Sequence, residues 1–161
     1  LILANSGEKM DSIDRKILQA LQEDASGSIS EIADRAGVSQ TPCWRRIKKL
    51  EDAGFIDKRV ALLNQKALNL RMTAFVMIKT SQHDEAWLKQ FSDGVRQIPE
   101  IVEIHRMAGD VDYLLKLVAG DVSEYDDIYK RLIKVAEFAD VSAGFSMECI
   151  KSSTQLPLDR L

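Results

Sequence analysis

Several things are scarce in this 161-residue chain. Its two cysteines, Cys43 and Cys149, lie far apart in unlike contexts, so no disulfide framework is expected. The two histidines, His83 and His105, stand at no metal-ligand spacing to the cysteines or to each other, so no metal site is expected. No apolar run approaches the roughly 20 residues that span a bilayer, so no membrane partner is expected. The opening LILANSGEKM holds four apolar residues before polar ones begin, too few for a signal-peptide core. Residues 1–10 read as a disordered tail in which Met10 is the expected native start, and the expected location is the cytoplasm. Paired carboxylates near residue 110 have no nucleophile, metal ligand or histidine at a readable spacing, so no catalytic residues are assigned.

Positive charge is also in deficit, the formal net charge being −3, yet its distribution is uneven. Arg45, Arg46, Lys48 and Lys49 fall within eight residues that contain no acid. An acidic protein with one local basic ridge suits docking of a single face on DNA. The surroundings of that ridge sharpen the reading. Asp11 to Gln22 carries Ile13, Ile17, Leu18 and Leu21 at one-face helical spacing. Ser28 with Glu31 three residues on is a capping box, which predicts a second helix through Ala36. Gly37 suits a left-handed turn residue, Ser39 is placed to cap a third helix, and Pro42 sits in its tolerant first turn. Ala53-Gly54 ends that helix. Phe55 to Leu63 is a β-like run fit for a wing.

Residues 11–63 are therefore expected to form a winged helix-turn-helix, with the helix-turn-helix motif at about 29–48. Cys43, Ile47 and Leu50 share the packed face of the third helix. The DNA-binding candidates are Ser39, Gln40, Thr41, Trp44, Arg45, Arg46, Lys48 and Lys49. Phosphate contacts from Arg and Lys supply affinity, while residues near the helix start read base edges in double-stranded DNA.

Residues 64–70 read as a linker, and 71–161 as a second domain. Strands are expected at 73–80, 101–107, 111–119 and 141–150, with amphipathic helices at 84–97 and 121–137. The order β-α-β-β-α-β is the split βαβ, or ferredoxin-like, arrangement. The fold class is thus α+β. Both helices would cover one sheet face, and an identical subunit is the simplest cover for the other.

The motifs DSIDRKILQALQEDA, VSQTPCWRRIKKLEDAGFI, RMAGDVDYLLKL and SSTQLPL together resemble the Lrp/AsnC (feast/famine, leucine-responsive) family of transcription regulators over Asp11 to Leu158. TPCWRR, TAFVMIKT and YDDIYKRL are similar to a branch that includes cysteine-responsive activators. The resemblance implies a ligand-sensing second domain (RAM, ACT-like) that also mediates oligomerisation. It implies homodimers that assemble into octamers, and a free amino acid bound between neighbouring dimers. Carried over residue by residue, the effector-binding candidates are Met107, Gly109, Asp110 and Asp112 at the turn, with Phe145 and Ser146 on the last strand. Gly144, Phe145 and Ser146 replace the bulkier tyrosine and valines of leucine-responsive relatives. Arg106 is a further departure that alters the charge of the pocket. The effector implied is cysteine or another small or polar amino acid. The expected function is an amino-acid-responsive, sequence-specific regulator of amino-acid metabolism genes, associated with the nucleoid. The alternative is an architectural protein that wraps DNA without an effector.

Overall fold

The computed structural model describes residues 10–159, so the tail at 1–9 lies outside the described residues. The chain divides into two compact units. One runs up to Leu62 and takes in the C-terminal segment from Lys151; the other is Leu63–Ile150.

The first unit is built on three helices, α1 (Ser12–Glu23), α2 (Ile29–Ala36) and α3 (Gln40–Asp52). Capping boxes start the first two. The Asp11 carboxylate accepts from the amides of Ile13 and Asp14 while Asp14 accepts from the Asp11 amide, and Ser28 exchanges the same bonds with Glu31. These satisfy amides that a helix start leaves unpaired. The turn into α3 rests on Gly37 at φ 74°, a left-handed conformation that costs other residues a steric clash. Ile17, Ile32, Ala33, Cys43, Ile47 and Leu50 form the buried centre.

The expected wing is absent as a strand. The amides of Phe55 and Ile56 return to the Leu50 carbonyl and close α3, and 57–64 then runs on without a ladder partner among the described residues. Val60, Leu62 and Leu63 are β-prone but exposed, and a strand exists only where a neighbour completes its hydrogen bonds. The chain from Lys151 onward was expected in the second domain but packs on the first. Gln22 donates to the Leu156 carbonyl at 3.0 Å and accepts its amide at 2.9 Å, and Leu158 joins the helical core.

In the second unit the expected linker is an ordered turn. The Asn64 side chain accepts from the Lys66 and Ala67 amides, and Gln65 donates to Thr73 at 3.1 Å. Four antiparallel strands follow: β1 (Met72–Lys79), β2 (Ile101–Arg106), β3 (Tyr113–Ala119) and β4 (Asp140–Phe145), in spatial order β2-β3-β1-β4. Helices α4 (Glu85–Arg96) and α5 (Val122–Leu132) pack on one face. Trp87, Phe91 and Val95 of α4, with Ile128 and Leu132 of α5, close over Ala74, Val76, Ile78, Leu115 and Leu117. Trp87 and Phe91 stack at 5.1 Å, with Tyr113 against both.

Two ends fall short of the sequence reading. Helix α5 stops at Leu132 rather than 137, because Lys134 and Val135 bond three residues back, which tightens the final turn. Strand β4 stops at Phe145 rather than 150. The Ser146 amide still bonds to the Thr73 carbonyl, but Met147 is exposed and makes no ladder bond to β1, and Cys149 lies outside the sheet and exposed. Among the described residues no helix is long and apolar enough to cross a membrane.

Candidate nucleic-acid interface and effector site

A helix advances about 100° per residue, so the packed face set by Cys43, Ile47 and Leu50 fixes where every other side chain of α3 points. Thr41, Arg45, Lys48 and Lys49 point away from the core, with Trp44 on the flank. An open concavity of about 420 Å³ on this outer face is lined by Trp44, Arg45, Lys48, Lys49, Asp52 and Ala53. Trp44 is half exposed, and no ion pair among the described residues involves Arg45. Lys48 pairs with Glu51 at 2.8 Å, and Arg59 reaches the same carboxylate at 2.8 Å. The Lys48 ammonium beside it holds the Glu51 carboxyl below its ordinary range, with help from Arg59. Glu51 therefore stays ionised and offsets part of the positive charge at Lys48.

Three of the residues assigned to DNA do something else in this structure. Ser39 is the N-cap of α3 by conformation, but its hydroxyl accepts no cap hydrogen bond. Gln40 reaches sideways to the Ser30 hydroxyl at 3.0 Å and ties α3 to α2. Arg46 points along the flank toward α1, where one guanidinium nitrogen meets Asp11 at 2.7 Å and Asp14 at 2.6 Å. These carboxylates were missed as functional partners. Their DxxD spacing is that of a helix cap, and nothing local in the sequence places α3 beside it.

The effector candidates fall into two groups. Met107 is exposed at the end of β2, and Gly109 takes φ 125° in the turn that follows. The Met107 amide bonds to the Asp112 carbonyl at 2.8 Å, closing this turn. Asp110 is exposed and has no hydrogen-bond or ion-pair partner among the described residues. Asp112 differs: its carboxylate accepts the Thr80 amide at 2.8 Å and its own amide bonds to Ile78 at 3.0 Å, so it caps the end of β1. Phe145 packs edge-on against Tyr125 at 4.9 Å, and Ser146 donates to the Glu148 carbonyl at 3.3 Å.

The strand register separates the groups. Ile78 faces Tyr113 beside the turn, whereas Ala74 faces both Leu117 and Phe145. Four residues along β1 amount to about 13 Å. The turn and Phe145 of one chain thus lie four residues apart along β1. Among the described residues no cluster of three or more His, Cys, Asp or Glu side chains is arranged to hold a metal.

A three-helix unit with a basic outer ridge, carried on one chain with a βαββαβ unit, defines a two-domain DNA-binding regulator. The comparisons agree for each part. Residues 10–51 match the AsnC-type helix-turn-helix domain, and residues 73–156 the Lrp/AsnC ligand binding domain. The chain is 47% identical to a glutamate uptake regulatory protein of Zymomonas mobilis over 150 residues, which cover 93% of this chain and 92% of that one. An AsnC family transcriptional regulator from Agrobacterium tumefaciens superposes with a TM-score of 0.91 at 51% identity, over 94% of this chain and 99% of that one. A transcriptional regulator from Neisseria meningitidis, solved in complex with L-methionine, gives 0.90 at 33% identity over the same shares. This chain belongs to the Lrp/AsnC family. It is a ligand-responsive, DNA-binding transcription regulator and not an enzyme.

Proposed function

We propose that α3 reads double-stranded operator DNA through Thr41, Trp44, Arg45, Lys48 and Lys49, and that a free amino acid bound at the second unit sets the protein's grip on that DNA. The observation that carries the first half is the concavity on the outer face of α3, lined by three basic side chains against one acid, Asp52, where Arg45 makes no ion pair among the described residues. Phosphate neutralisation by such residues supplies affinity, and the helix start reads base edges. The experiment is a gel shift with a duplex selected from a random pool by the wild-type protein. Arg45→Ala weakens binding at least tenfold at fixed salt; unchanged binding refutes the assignment.

The effector is cysteine or another small or polar amino acid. Gly144 and Ser146 leave room beside Phe145, and Asp110 offers a free carboxylate to an ammonium group. The Zymomonas mobilis relative is named for glutamate uptake and the Neisseria meningitidis structure holds L-methionine, which supports a free amino acid as the ligand. The 13 Å between the two groups of candidate residues supports a pocket completed by another copy, within homodimers that assemble into octamers. An effector shifts DNA binding only by its differential affinity for two states of the protein. Calorimetry against the twenty amino acids tests this half. Heat from a polar or sulfur-containing one supports it, and heat from none leaves an architectural DNA-wrapping protein. The site of action is the nucleoid, in the cytoplasm.

A further inference from the structure

Arg46 stands next to Arg45 in the basic ridge, yet its guanidinium turns back into the protein. One nitrogen donates to both Asp11 and Asp14. Asp14 is the single buried charged residue among those described, and its second oxygen accepts the Asp11 amide. One carboxylate thus starts α1 and holds α3. The contact also joins elements more than thirty residues apart in sequence. Apolar packing also joins α1 and α3, and such packing is non-directional and leaves a helix free to roll or slide by small amounts. Charge-assisted hydrogen bonds from a rigid guanidinium to two carboxylates fix direction as well as distance.

We propose that Arg46 is a positioning residue for DNA recognition: its ion pairs with Asp11 and Asp14 lock the roll of α3, so that Thr41 and Trp44 near the helix start meet base edges in register. It makes no phosphate contact itself. Base readout needs side chains within hydrogen-bond reach of particular atoms, and a small roll of the helix breaks it. Phosphate attraction is long-ranged and tolerates the same roll. Loss of the lock therefore costs discrimination between sequences and spares non-specific binding. The inference rests on α3 being the reading helix.

The test compares a duplex selected by the wild-type protein with a scrambled duplex of the same composition. Binding is followed by fluorescence anisotropy across a salt series at 25 °C. Arg46→Met lowers affinity for the selected duplex at least tenfold. It leaves affinity for the scrambled duplex, and the slope of log K against log salt, within error of wild type. Arg45→Ala weakens both duplexes and flattens the slope by about 0.9, the value for one lost phosphate contact. Should Arg46→Met fail to fold by circular dichroism, Asp11→Asn takes its place. Asparagine caps a helix as well as aspartate does, so α1 keeps its start while Arg46 loses one anchor. This substitution removes a negative charge near DNA. General electrostatics alone would tighten binding, whereas loss of positioning weakens the selected duplex. A slope that flattens in Arg46→Met, or tighter binding of the selected duplex by Asp11→Asn, overturns the proposal. Equal loss on both duplexes in Arg46→Met with an unchanged slope also overturns it. If Arg45→Ala binds like wild type, the reading-helix assignment fails instead.

Discussion

Gly94, near the end of α4, sets two magnitudes against each other. Alanine in place of a helical glycine ordinarily stabilises by up to about 1 kcal/mol. Here the added Cβ would sit 2.4 Å from one Val135 methyl carbon and 3.1 Å from the other, well inside contact distance. The valine has little freedom to withdraw. Gln90 donates to the Val135 carbonyl at 2.8 Å and the Trp87 indole to the Glu137 carbonyl at 3.1 Å, so α4 itself holds that segment in place. Overpacking against a fixed neighbour costs about 1–3 kcal/mol, and a clash of this depth belongs in the upper half of that range. Gly94→Ala is therefore expected to destabilise by about 1–2 kcal/mol net, measured by urea unfolding at one fixed protein concentration. Val135→Ala in the wild-type background loses part of a half-buried side chain, about 1 kcal/mol. In the Gly94→Ala background the same change removes both methyl carbons and leaves one tight contact, to the Cβ of residue 135 at 3.2 Å, so it stabilises, giving a coupling of about 2 kcal/mol. A Gly94→Ala protein more stable than wild type, or a Val135→Ala cost equal in both backgrounds, would refute the steric argument.

Other expectations follow from burial and charge. Cys43 is fully buried, and burial pushes its thiol above the ordinary range, while Cys149 is exposed. Ellman's reagent at pH 8 should titrate one thiol in the native protein and two in denaturant; two fast thiols without denaturant contradict the packing. Leu158→Ala or Gln22→Ala should each cost about 1 kcal/mol, from a half-buried leucine or a reciprocal pair of exposed hydrogen bonds. Hydrogen exchange would show α1 amides opening about fivefold faster with the strands of the second unit unchanged, and faster strands would place the tail elsewhere. The Asp14 amide, with Arg46 beside it, holds the Asp11 carboxyl below its usual range, and the Ser28 amide does the same for Glu31. Lowered carboxyl pKa values contribute stability above the unfolded value of about 4, lost as pH falls through the folded value. Thermal melts of the helical unit should be flat from pH 7 to 5 and drop below 4, and a drop beginning near pH 6 would implicate other groups.

Helix starts were legible in the sequence because their causes are local. Asp11, Ser28, Asp84 and Asp121 accept amides two or three residues on, and the apolar spacing after each one faces a core. Element ends depended on partners far along the chain. Strand β4 leaves the ladder after Phe145 although β1 continues to Met72, and the residues after α5 turn so that Val135 meets α4, facts absent from the periodicity of either segment. The wing failed for the same reason: Val60, Leu62 and Leu63 have strand propensity, but propensity supplies no neighbour. The C-terminal tail looked like the end of a sheet domain because it follows a strand. The reciprocal Gln22–Leu156 pair, 134 residues apart, and the packing of Leu158 on the helical core assign it to the helices.

The candidate sites divide along the same line. Residue type marked Arg45, Arg46, Lys48 and Lys49 equally, yet their roles depend on what the fold places within reach. Arg46 meets a buried carboxylate and becomes part of the scaffold; Arg45, one residue earlier and about 100° around the helix, makes no ion pair among the described residues and keeps its field directed outward. Asp110 and Asp112 separate likewise, one exposed and the other holding the Thr80 amide. A charged side chain engaged by internal partners has given up much of its hydration and is already held in one geometry. It gains little from an external phosphate or ammonium, because the new contact must first break the old one. In both units, then, the residue available to a ligand is the one of the pair that the fold leaves unpartnered. For that reason Arg45 and Asp110, rather than Arg46 and Asp112, are the substitutions expected to change DNA and effector binding directly.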